Sequence, residues 1–152
     1  MALTLSLPLL HLKIDAPALD AMTAHRQTAA DASEAGGALL GRVLASGDVV
    51  VDLVTEPLPS DVRSRAAFHR SRAHQISIDA AHERSGGVVG WLGEWHTHPE
   101  PDPTPSAVDL DDWHRRAHED VYEGERLFFV IVGQERTRAW SCDRRGNVIP
   151  LA

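Results

Sequence analysis

Between Val88 and Asp109 the sequence passes from a strand-length apolar run, through paired histidines and a proline-studded loop, into a helix start. This transition constrains the fold more than any other segment. Val88-Val89-Gly90-Trp91-Leu92-Gly93-Glu94-Trp95-His96 has the length and apolarity of a central strand buried on both faces. Pro99 to Pro105 must be stiff and non-helical, because each proline fixes φ and removes a backbone donor. Ser106 then opens a helix expected to reach about Glu119. Asp109, three residues on, completes a capping box in which Asp replaces the usual Glu.

The remaining segments surround this strand. The apolar start Met1 to Leu10 reads as a first strand: it has no basic residue before it and is too short to span a bilayer. Asp15-Ala16-Pro17 opens a helix, with a capping residue and a first-turn proline, that Ala-rich sequence carries to about Ala30. Gly36-Gly37 breaks the pattern. Ala38 to Leu44 and Asp48 to Val54 then form a hairpin turning at Ser46-Gly47, ended by Pro57 and Pro59. Ser60 to Gln75 is polar and Arg-rich and reads as a long loop or irregular insertion, followed by a short helix over Ile76 to Arg84. Leu127 to Val132 is another buried strand, Arg136 to Ser141 a further one, and Val148-Ile149 a last one after a turn at Gly146-Asn147. The expected class is α/β, a mixed, mostly antiparallel sheet flanked by two or three helices.

Composition excludes several functions. The length of 152 residues favours one domain over the whole chain. A net charge of −7, spread along the sequence, argues against nucleic acid as a partner, since that binding needs a basic footprint to displace phosphate counterions. A local basic patch from Arg63 through Arg72 is the exception. Cys142 is the only cysteine, so no intrachain disulfide forms and a reducing, cytoplasmic setting fits, with no membrane partner. Within Ala139-Trp140-Ser141-Cys142 it reads as a small buried filler. The sole lysine, Lys13, beside many arginines, is put down to coding bias.

The chemistry lies in His96-Thr97-His98-Pro99 with Ser106 and Asp109. Alternate strand residues share a face, so the two imidazoles project together roughly 6.6 Å apart along the chain. That spacing lets two nitrogens reach one zinc at about 2.0–2.1 Å, with Asp109 arriving from the helix as the oxygen ligand and the fourth position left to water. Nine histidines give about half an H-x-H pair by chance. Requiring Ser and Asp at their places as well lowers this to roughly 0.003.

This pattern, with the upstream Ser33-Glu34-Ala35-Gly36-Gly37, resembles the JAMM (JAB1/MPN/Mov34) zinc metallopeptidases. Gly-Glu-Trp-His-Thr-His-Pro (Gly93 to Pro99) followed by Pro105-Ser106 is similar to short stand-alone bacterial JAB proteins found beside ubiquitin-like activating and conjugating enzymes in antiphage and mobile-element operons. The resemblance implies a JAB/MPN fold, akin to cytidine deaminases, and Zn²⁺ on His96, His98 and Asp109. It also implies Glu34 as general base, Ser106 as oxyanion donor, and hydrolysis of an amide at the C-terminus of a ubiquitin-like protein. The alternatives are the same chemistry on a small amino-acid conjugate or sulfur-carrier precursor, and a metal-free scaffold.

Other candidates have plainer readings. Glu94 either supports the ligands or makes a structural hydrogen bond, the latter favoured. His114 and His118, four apart on a helix, lack a third ligand and read as a solvated face. His69, His74 and His82 read as surface residues. The four tryptophans read as packing. Glu100 and Asp102 are not expected to be ligands. Arg63, Arg65, Arg70 and Arg72 form a candidate grip on a substrate.

Overall fold

The computed structural model describes residues 1–152. In chain order the elements are β1 (Leu3–Leu7), β2 (Leu10–Ile14), α1 (Ala16–Thr23), β3 (Gly36–Val43), β4 (Val49–Val54), β5 (Val62–Ser64), β6 (Ala67–His69), α2 (Ala73–Arg84), β7 (Gly90–Thr97), α3 (Ala107–Glu119), β8 (Arg126–Val132), β9 (Thr137–Asp143) and β10 (Val148–Pro150). Eight strands form one sheet in the order β1-β2-β4-β3-β7-β8-β9-β10, while β5 and β6 pair separately. Only β2–β4 and β7–β8 run parallel. Ser6 and Ala152 exchange main-chain bonds of 2.8 and 3.0 Å, so the sheet curls until its first strand meets the chain end beyond its last. The expected mixed, mostly antiparallel α/β sheet with its helices is what forms.

The two-residue period sorts the core into layers. Phe128, Val130 and Val132 of β8 join Leu12, Ile14, Leu39, Val51 and Trp95 on one face, covered by Ala18 and Met22 of α1. The alternate residues Leu127, Phe129 and Ile131 pack under α3 with Trp113, Ala117, Trp140 and Cys142. Ala38 and Leu40 meet Ile78 and Ala81 of α2. Trp113 stacks on Phe129 at 4.6 Å between ring centroids, which fixes α3 against β8. No helix is long and apolar enough to cross a membrane.

A bulge retunes β7. The β3–β7 register shifts between Leu39 and Leu40, opposite Gly93, whose φ is 149°. A Cβ at Gly93 would sit 1.7 Å from the Phe128 carbonyl oxygen, so glycine is required. The shift lets Leu92 share the face of Trp95, while Glu94 and His96 point the other way.

Four expectations need correction. The helix after Asp15 stops at Thr23 rather than near Ala30, and the chain beyond it turns to carry the Gln27 side chain into a buried hub, where Nε2 donates to the Ala32 and Arg65 carbonyl oxygens and Oε1 accepts from Thr97. Gly36-Gly37 does not break the pattern but begins β3. Cβ atoms there would lie 2.5 Å from Phe68 and 2.1 Å from the Thr55 carbonyl oxygen, so the glycines permit close strand packing. The apolar start is two strands joined by a turn, β1 and β2, rather than one. The Arg-rich insertion is ordered as the β5–β6 hairpin and the start of α2, and His74 within it is fully buried. Thr55 Oγ1 lies 2.7 Å from His74 Nδ1, and Asp61 Oδ2 2.8 Å from Nε2, so both ring nitrogens have partners that offset burial.

Candidate metal centre and active site

Strand β7 delivers His96 and, one residue past its end, His98. Their Nε2 atoms face each other at 3.0 Å. Two nitrogens held about 2.0–2.1 Å from one tetrahedral zinc would stand about 3.3 Å apart, so the pair is within a few tenths of an ångström of a shared-cation geometry. Asp109 Oδ1 lies 3.2 Å from His96 Nε2, and Oδ2 lies 3.1 Å from His98 Nε2. The donor set of two imidazoles and a carboxylate suits zinc chemically, with room for a further ligand.

Helix α3 aims that carboxylate. Ser106 Oγ accepts from the Asp109 amide at 3.1 Å, and Asp109 Oδ2 accepts from the Ser106 amide at 2.8 Å. The capping box and the placing of Asp109 before the histidines are therefore one arrangement. Pro99 to Pro105 supplies the stiff connection between strand and helix. His98 is oriented from behind by Glu100, whose Oε1 accepts from Nδ1 at 2.8 Å and so leaves Nε2 free for a cation.

Glu34 is 5% exposed and sits between α1 and β3. One donor atom each from Glu34, His96 and His98 falls within 4.8 Å of the others, yet Glu34 forms no ion pair with either ring. That closeness puts Glu34 within reach of a shared cation or of a water beside it. Burial pushes the Glu34 carboxyl up to about 7, partly countered by His96 and His98. At Asp109 burial works the same way, but the two histidines and the Ser106 amide prevail and hold it well below the usual carboxylate range. Burial would lower His98, yet its bonds to Asp109 and Glu100 raise it to about 9. The carboxylates thus favour positive charge at His98, the compensation that a cation would also give.

These groups lie in a cleft of about 950 Å³ between the β5–β6 hairpin and α3, with Phe68 and Arg70 on one wall and Val108 and Arg116 on the other. Glu94 accepts from Arg70 Nε at 2.6 Å and from Trp91 Nε1 at 2.8 Å, the structural hydrogen bonding favoured from sequence. Arg63 and Arg65 donate instead to main-chain carbonyls, of Glu34 and of Ala29 and Ala30, leaving Arg72 as the arginine of the four without a side-chain hydrogen bond. Trp95, Trp113 and Trp140 are buried, and Cys142 is core filler. His114 and His118 remain on the outer face of α3.

Sequence reasoning missed Glu100 as the partner of His98, although a carboxylate two residues after a candidate ligand histidine is a usable signal. It also missed Gln27, and it read Arg63 as a grip on substrate where the guanidinium instead bonds the Glu34 carbonyl oxygen. Both sets of contacts join residues distant in sequence, so only the fold brings them together.

Comparison with known proteins agrees with this architecture. A 32% identical protein of Escherichia coli, matched over 82% of this chain and 78% of its own length, is named a CD-NTase/cGAS isopeptidase. Proteins of the same name from Vibrio cholerae (39% identical, 67% of this chain, 63% of theirs) and Pseudomonas aeruginosa (38%, 64% and 61%) also match. The match thus spans under two thirds of the latter two. A solution structure from Desulfitobacterium hafniense shares the fold at a TM-score of 0.62 and 22% identity, over 90% of this chain and 87% of that one. The family of prokaryotic homologues of the JAB domain matches residues 15–143, and to that family this chain belongs.

Proposed function

We propose that the chain is a single-domain, zinc-dependent isopeptidase, with His96, His98 and Asp109 as ligands, Glu34 as general base and Ser106 as oxyanion donor. The observation that carries this reading is the meeting of two Nε2 atoms and one carboxylate at 3.0–3.2 Å, with a buried Glu34 carboxylate within 4.8 Å of both rings. A zinc ion there would supply Lewis acidity and a water titrating near pH 7. Glu34 takes the proton of the attacking water and returns it to the leaving amine. A carboxyl titrating near neutrality serves both steps. The Ser106 hydroxyl accepts from the Asp109 amide and keeps its own proton to donate to the developing oxyanion.

The relatives' name supports an isopeptide as the bond cut, and a CD-NTase/cGAS-type protein as the conjugated partner. A ubiquitin-like protein, expected from sequence, is the competing partner. The test offers zinc-loaded protein two synthetic conjugates, each joined through its C-terminus to a lysine, one of either kind, and reads products by mass. Cleavage at the isopeptide supports the activity, and the preferred conjugate decides the partner. Glu34→Gln should keep zinc and lose about 10²–10⁴-fold in turnover. Loss of zinc from that variant would make Glu34 a ligand, and full activity would remove it as base.

A further inference from the structure

Residues 24 to 35, which carry Glu34, belong to no helix or strand, so regular backbone pairing does not fix the base. Its main chain is instead held by the neighbouring hairpin. The Glu34 amide donates to the Ser64 carbonyl oxygen at 2.7 Å, and Arg63 Nε donates to the Glu34 carbonyl oxygen at 2.7 Å. Both main-chain groups of Glu34 are therefore satisfied by two consecutive residues of β5. The hairpin is tied down in turn just past its other strand, where Arg70 Nε meets Glu94 at 2.6 Å, both side chains being mostly buried. Gln27 Nε2 adds a bond of 2.9 Å to the Arg65 carbonyl oxygen.

We infer that the β5–β6 hairpin is the positioning element for Glu34, acting through the Arg63 guanidinium and the Ser64 carbonyl, and that Arg63 is a positioning residue rather than a substrate contact. This rests on Glu34 being the base. Arg63 does not line the cleft, whereas Phe68 and Arg70, on the other side of the same hairpin, do. A substrate pressing on β6 is thus one strand away from the backbone of the base. Small misplacements of a reacting group are costly, since catalysis depends on near-attack geometry.

The experiment compares zinc-loaded wild type, Arg63→Ala and Arg63→Lys on an isopeptide conjugate, with Glu34→Gln alongside, and measures amide exchange at Glu34 by NMR. The expected result for Arg63→Ala is a fall in kcat of about 10-fold, KM within about twofold, unchanged zinc content and faster exchange at the Glu34 amide. Arg63→Lys, which keeps a donor of different reach, should fall between and carries the test if the alanine form does not fold. A raised KM with intact kcat would make Arg63 a substrate contact and overturn the inference. Unchanged kcat with unchanged exchange, while Glu34→Gln is inactive, overturns it and leaves the base assignment standing. If Glu34→Gln is active the base assignment itself fails, and exchange at Glu34 still shows whether Arg63 holds it.

Discussion

Ser106 caps α3 and, on the proposed mechanism, also donates to the oxyanion, so removing its hydroxyl tests both duties together. As the cap of α3 it accepts from the Asp109 amide at 3.1 Å, and Ser→Ala at such a position costs about 1 kcal/mol. For a chain of this size that is a fall in Tm of roughly 2–4 °C. Glycine caps nearly as well, so Ser106→Gly should cost only a few tenths of a kcal/mol. As an oxyanion donor the hydroxyl should matter far more. Losing one such donor typically lowers kcat by about 10²–10³-fold, equivalent to roughly 2.7–4 kcal/mol. The two substitutions therefore dissociate the duties: alanine and glycine should differ in Tm but share the same deep loss of kcat. Zinc content, measured in parallel by elemental analysis, should hold in both, because the Ser106 amide that orients Asp109 Oδ2 is retained. A glycine variant turning over at nearly the wild-type rate would refute the oxyanion role and leave Ser106 as a cap alone. Loss of zinc in alanine but not glycine would show that the cap works by holding Asp109.

Glu100→Gln should weaken zinc binding about 10-fold or more in competition with a chromophoric chelator, because the neutral amide no longer raises the basicity of His98 through Nδ1; unchanged affinity would demote Glu100 to a loop contact. Gly37→Ala should destabilise by about 1–3 kcal/mol in urea unfolding, since the new Cβ would stand 2.1 Å from the Thr55 carbonyl oxygen and β3 must shift. In zinc-free protein the pKa of His98 is raised to about 9, so its stabilisation is complete below about pH 6.5 and is lost as pH rises through about 9. The urea midpoint should therefore fall across that window, and His98→Gln should flatten the fall. A wild-type midpoint that rises over the same window contradicts the sign.

The sequence by itself determined the elements whose pattern is local. β8 alternates Leu127, Phe129 and Ile131 with Phe128, Val130 and Val132, and both sets are buried because the strand lies mid-sheet between two layers. The start of α3 was legible because a capping box is written in four residues, and the histidine pair because alternate strand positions share a face. What only tertiary structure decided was whatever depends on a partner distant in sequence. Beyond the early end of α1, the Gln27 amide bonds Ala32, Arg65 and Thr97, partners that no local propensity records. His74 reads as a surface residue until Thr55 and Asp61 enclose it. Gly36 and Gly37 look like a break until Phe68 and Thr55 press against them. Glu34 came forward as a candidate only through the family resemblance carried by Ser33 to Gly37, while its approach to His96 and His98 and its hold by Arg63 follow from the β3–β7 pairing and the β5–β6 hairpin. Side-chain periodicity is a one-dimensional signal, whereas hydrogen bonds across tens of residues are set only when the sheet closes.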